Sequence, residues 1–212
     1  MSTAERISLY AAWGASLTTS LLAILVWGRN NQWQLSFDAY VIFPLLGLLA
    51  FSLMWSHYLA AFVRRRLGVA PPVLSHYFES TSIVVLGLLF LHPGLLILQR
   101  FRDGYGLPPH SYYSYVAPGL GWVTLLGTVS WLAFMAYEFR RIFADKSWWK
   151  YIPIAGDVAM LAIAYHGLRL GSQLQTGWYK FVWLSYAVAL VFILAYNYFE
   201  KFEQHAQTKS PV

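Results

Sequence analysis

The chain contains no cysteine, few acidic residues and little charge of either sign. Without cysteine there is no disulfide framework, thiolate metal site, cysteine nucleophile or Cys-bound iron–sulfur cluster. Charged residues make up 11% of the 212 positions, where a soluble domain carries about 25%. That is too little to cover a water-facing surface, so a soluble enzyme is excluded. Nine acids stand against 15 Lys and Arg, a net charge of +6. In a membrane chain such basic residues mark topology, so no nucleic-acid partner is expected. No lysine lies within an apolar run, Lys180 standing at a border, which excludes a retinal-type Schiff base. What the chain has is apolar surface: 58% hydrophobic and 18% aromatic residues, ample to exclude disorder. The composition is that of an integral membrane protein.

A helix crossing the hydrocarbon layer needs about 20 mostly apolar residues. Six stretches qualify: Leu9–Trp27, Tyr40–Val63, Val73–Leu98, Leu120–Phe139, Ile152–Leu170 and Phe181–Phe199. The expected fold is an all-α, single-domain bundle of six transmembrane helices, because runs this long without alternation do not build a barrel wall. The first stretch lacks a basic leader and a small-residue cleavage site, and reads as a retained helix. With the N-terminus inside, one side holds Arg6, Arg64, Arg65, Arg66, Arg140, Arg141, Lys146, Lys150, Lys201 and Lys209. The other side holds Arg29, Arg100, Arg102, Arg169 and Lys180. This asymmetry places both termini in the cytoplasm, in a bacterial inner membrane. The Tyr-rich segment from Tyr105 to Tyr115 reads as an outer interfacial loop, and the Trp148–Trp149 pair as an interface anchor.

Ionisable groups at membrane depth are costly and mark function by default. His110 and His205 fall in solvent-facing segments. His92 and His166 are embedded in the third and fifth stretches, which run in the same direction. His92 lies eight residues before Arg100 and His166 five before Gly171, about 12 and 8 Å of helix rise. Two neutral imidazoles at comparable depth on different helices suit the axial positions of a b-type haem iron. Small residues at Gly156, Ala159 and Ala162 share a helical face with His166 and leave room for a flat macrocycle. Pro93 removes a backbone donor and is expected to kink the helix beside His92. Arg100, Arg102 and Arg169 are candidate partners for haem propionates. The alternative for this His pair is a hydrogen bond between packed helices.

A candidate inner site comprises His57, His76, Glu79 and Asp157. His76 and His92 are 16 residues apart, roughly 160° round a helix, which disfavours a second stacked haem. For Glu79 and Asp157 the alternatives are pairing with Arg64–Arg66 or Lys150, or contact with a proton relay, flavin or quinone.

The turn RRRLG, the span ESTSIVVLGLLFLHPGLLILQRF with His92, and the span DVAMLAIAYHGLRLG with His166 resemble the ferric reductase-like transmembrane domain family. That family includes the haem-binding subunit of the methionine sulfoxide reductase system and, more distantly, STEAP-type metalloreductases. The resemblance runs from about Arg64 to Phe199. It implies one haem b in the outer half of the bilayer, with His92 and His166 as axial ligands, because the two-His-per-helix pattern of two-haem members is absent. It implies electrons arriving from an inner-side soluble flavoprotein or membrane quinol. They would leave to an outer-face metal ion, oxygen or protein. The competing readings are a small transporter or channel and a structural membrane subunit. Against a transporter, the sequence has no visible inverted repeat.

Overall fold

The computed structural model describes residues 1–34, 36–138, 143–175 and 177–209, the side chains of residues 138 and 204–209 excepted. Helices run over Thr3–Asn30 (α1), Ala39–Arg66 (α2), Ser75–Arg102 (α3), His110–Tyr113 (α4), Gly121–Glu138 (α5), Ile152–Leu170 (α6) and Tyr179–Lys209 (α7). Among the described residues there is no strand. Five helical segments are long and apolar enough to cross a membrane: Thr3–Asn30, Ala39–Arg66, Pro71–Arg102, Ser147–Leu170 and Tyr179–Glu203. The protein is an all-helical integral membrane protein. The remaining expected stretch, Leu120–Phe139, coincides with α5, whose described apolar part, Gly121–Tyr137, is shorter. Phe139, Arg140, Arg141 and the side chains of His205 and Lys209 lie outside the described residues.

The helix ends follow local chemistry. Ser2 and Glu5 cap α1 reciprocally, Ser2 Oγ accepting from the Glu5 amide and Glu5 Oε2 from the Ser2 amide, which satisfies donors the first turn leaves free. Asp38 caps α2 by accepting from the Tyr40 amide. Pro71 and Pro153 stand where a missing N–H costs nothing, at the first turns of a 3-10 segment and of α6. After α1 the chain turns back sharply, with Gln32 and Trp33 at positive φ. The Trp33 ring then lies where a Cβ on Gly28 would stand.

Helices α1, α2 and α3 pack in sequence, α5 packs on α6, and α7 closes against α2 and α6. The first seam is lined by small hydroxyl residues. Ser16, Ser56 and the Tyr77 hydroxyl bond one another at 2.7–2.9 Å, as apolar surroundings demand of buried hydroxyls. The main core gathers Leu48, Phe51, Met54, Met160, Trp183 and Leu190 from α2, α6 and α7. Large apolar side chains such as Ile83, Val129, Val188 and Phe192 point outward, where lipid replaces water as the solvent.

Indole N–H groups tie helices together by donating to backbone carbonyls. Trp27 reaches Val41, Trp55 reaches Tyr186 and Trp183 reaches Ala164, at 2.7–2.9 Å. A fourth such bond depends on Pro93. Helix α3 continues through this proline, whose missing N–H frees the carbonyl four residues earlier. That carbonyl, of Leu89, accepts from Trp131 Nε1 on α5 at 3.0 Å. The proline thus supplies an inter-helix acceptor. Trp131→Phe should cost about 1 kcal/mol of stability. In a Pro93→Ala background the cost should shrink, because Leu89 then has its own helical donor. A double-mutant cycle by detergent unfolding reads this coupling; identical costs in both backgrounds would refute it.

A candidate functional site: two imidazoles in one cavity

A cavity of about 500 Å³ lies among α2, α3, α5 and α6, within the roughly 300–1,000 Å³ range of cofactor pockets. Its wall includes His92 and Pro93 from α3, Ile163 and His166 from α6, Phe134 from α5 and Phe51 from α2. The two histidines singled out by their depth therefore line one largely apolar cavity.

Each imidazole is held by the same device. His92 Nδ1 lies 2.7 Å from the carbonyl oxygen of Phe43 on α2. His166 Nδ1 lies 2.8 Å from that of Val123 on α5. A carbonyl only accepts, so each Nδ1 carries the proton and each Nε2 keeps its lone pair. Neither Nε2 has a hydrogen-bond partner among the described residues. One turn beyond each carbonyl stands a glycine. A Cβ at Gly47 would come within 2.7 Å of the His92 ring, and one at Gly127 within 2.6 Å of the His166 ring. The hairpins α2–α3 and α5–α6 thus repeat one construction: a carbonyl at i, a glycine at i+4 and an imidazole from the next helix seated on both. The Phe43 ring also stacks on His92, with centroids 5.5 Å apart.

This arrangement has defined chemistry. A histidine that ligates a metal through Nε2 characteristically donates its Nδ1–H to a carbonyl or carboxylate, which fixes tautomer and ring orientation. Among the described residues no group of three or more His, Asp or Glu is gathered that could hold a bare metal ion. Two imidazoles alone suit a metal whose other positions a macrocycle fills.

The remaining sequence-derived candidates lie elsewhere. Ala162 is not on the cavity wall; Ile163, Gly167 and Leu170 flank His166 there. Arg102 and Arg169 are exposed, and Arg102 borders a separate surface pocket with Asp38, Tyr40 and Asp103. Arg100 is buried outside the cavity wall. Its guanidinium lies 3.4 Å from the Tyr105 ring centroid and 5.6 Å from that of Tyr115, and it donates to Ser114.

The four inner candidates are held apart. His57 Nε2 bonds Thr81 Oγ1 at 2.6 Å, with the ring packed edge-on against Tyr77 and Phe78. His76 and Glu79 are exposed. Asp157 accepts from the Tyr58 and Tyr198 hydroxyls at 2.9 and 2.7 Å, which ties α6 to α2 and α7. His110 is exposed.

Sequence reasoning missed Gly47, Gly127 and the two carbonyls beneath the rings. A glycine inside an apolar run is the available signal, since it marks close approach of another group. Nothing in a sequence identifies the carbonyl that a distant imidazole will reach.

Fold and cavity together define a helical membrane protein with two neutral imidazoles facing a shared apolar pocket. No protein-family model, no curated protein and no solved structure matches the chain.

Proposed function

We propose that the chain is a haem b-binding membrane electron-transfer protein. In this reading it is a six-crossing bundle with both termini on the cytoplasmic side of a bacterial inner membrane. A flavoprotein or quinol supplies electrons on that side, and a metal ion, oxygen or partner protein accepts them on the other. The observation that carries the reading is the pair of tethered imidazoles on the wall of one cavity, each with Nδ1 committed to a helix carbonyl and Nε2 without a hydrogen-bond partner among the described residues. The residues fit the group on two further counts. Gly47 and Gly127 leave the imidazoles the space that side chains would fill, and the rest of the wall is largely apolar, as a buried porphyrin requires.

His92 and His166 would hold the iron through Nε2. When bound, the haem supplies one-electron oxidation and reduction. The protein's own residues do the rest. The Phe43 and Val123 carbonyls keep each imidazole in the ligating tautomer and raise its basicity. Phe51, Phe134 and Ile163 exclude water, which sets the polarity around the site.

The test is an absorption spectrum of the detergent-purified protein produced with ample haem. The expected result is an intense Soret band with reduced-state α and β bands and about one haem per chain. His92→Ala and His166→Ala should each abolish this spectrum, whereas His57→Ala and His110→Ala should retain it. A colourless wild-type protein would overturn the proposal and leave the transporter or structural-subunit reading.

A further inference from the structure

The cavity is not sealed on every side. Phe90 and Gly94 of α3 stand on its wall together with His92. Each lies two residues from His92, which places it roughly 160° round the helix. A void enclosed within a bundle touches one face of each helix around it. This one reaches from the His92 face of α3, past Pro93 and Ile97, to nearly the opposite face. Both Phe90 and Gly94 are exposed, and a Cβ added at Gly94 would meet nothing within 4 Å.

The opening lies toward α5. Along their described length α3 packs on α2 and α5 on α6, while α3 and α5 do not pack closely on each other. Trp131 of α5 reaches across. Its Nε1–H donates to the Leu89 carbonyl, and its ring meets that of Phe90 edge-on, with centroids 5.7 Å apart. The surface flanking this gap is apolar, with Leu91 and Leu98 of α3 and Leu125, Val129 and Leu132 of α5 all exposed. On a membrane-spanning helix such side chains meet lipid tails, not water.

We propose that the gap between α3 and α5 is a lateral portal through which the cavity takes its ligand from the bilayer, with the Phe90 ring as its bar. This rests on the haem reading and adds the route to it. A flat, largely apolar macrocycle is at home in lipid, so entry from the side spares it a passage through water.

The experiment uses full-length apoprotein, from haem-depleted cells, in lipid nanodiscs. It follows haem capture by the rise of the Soret band, and haem loss to a soluble haem scavenger by its decay. A block on the route slows entry and exit alike and leaves affinity unchanged. Gly94→Trp should slow both rates about tenfold, with the final spectrum that of wild type. Phe90→Ala should speed both. Gly87→Trp is the matched control, because Gly87 is exposed on α3 with open space at its Cβ but lies off the cavity wall. Its rates should be those of wild type. If Gly94→Trp alters the final spectrum, Gly94→Leu takes its place; an altered spectrum in both puts the residue in the ligand's seat and overturns the portal. Wild-type rates in the Gly94 variant, or equal slowing in Gly87→Trp, overturn this inference alone. A wild type that takes up no haem overturns the haem reading, and this one with it.

Discussion

Replacing Gly127 with valine should abolish the proposed haem binding as completely as removing His166 itself. A Cβ there would lie 2.6 Å from the imidazole Cε1 and 2.8 Å from Nδ1, and real Cβ contacts do not come that close. Backbone cannot yield easily, because α5 and α6 are packed along their length and interiors transmit strain. The ring must leave its seat, which breaks the Nδ1 bond to the Val123 carbonyl and turns Nε2 away. Gly47→Val should act in the same way on His92, where the added Cβ would meet Cε1 at 2.7 Å. Gly156→Ala is the control. It lies on α6 in open space, with nothing within 4 Å of its added Cβ, and alanine improves helix propensity. Haem content and the Soret spectrum of the purified variants check the prediction. Retention of a wild-type spectrum in Gly127→Val would mean that the seat does not hold the ring.

Trp183→Ala should produce the largest loss of stability of any single truncation in the bundle, about 3–5 kcal/mol. Trp183 is 2% exposed and stacks on Phe51 with ring centroids 4.0 Å apart. It donates Nε1–H to the Ala164 carbonyl at 2.9 Å, and its ring occupies the space that Gly167 leaves open. One side chain therefore joins α2, α6 and α7 beside the cavity. Lipid tails are as apolar as the core, so the loss comes from packing, not from transfer to water. Trp183→Phe keeps most of the ring contact and drops the hydrogen bond, and should cost about 1 kcal/mol. Phe192→Ala, whose ring is 59% exposed, should fall within about 0.5 kcal/mol of wild type. Unfolding of the purified proteins in a common detergent gives the comparison. Equal losses for Trp183→Ala and Phe192→Ala would show that the junction is not where the bundle is held.

The elements of this fold were largely legible in the residue order. Apolar runs near membrane length and flanking arginines located the long helices, because a chain in lipid must satisfy its backbone within each helix. The exception is α5, where the described apolar part is short. His92 and His166 were paired by helix rise, which converts residue count into height, and the structure puts both on the wall of one cavity. The effect of Pro93 was only half legible. A missing N–H was expected to bend the helix, whereas in the structure the freed Leu89 carbonyl is used by Trp131 of another helix. Asp157 was weighed against basic partners and takes two tyrosine hydroxyls. Sequence position says how near a group lies to a membrane boundary, but not which neighbour reaches it.

Composition and the length of the apolar runs alone made this an all-helical membrane protein and put one imidazole on each of two long helices, because both follow from local order in the chain. Whether those rings share a space depends on how helices rotate about their own axes. That rotation was decided by tertiary packing: by Gly47 and Gly127 admitting the rings, by two helix carbonyls capturing Nδ1, and by Trp183 and Trp131 locking the surrounding helices. Contacts between residues some forty to fifty positions apart are energies of the assembled bundle, and no single helix carries them.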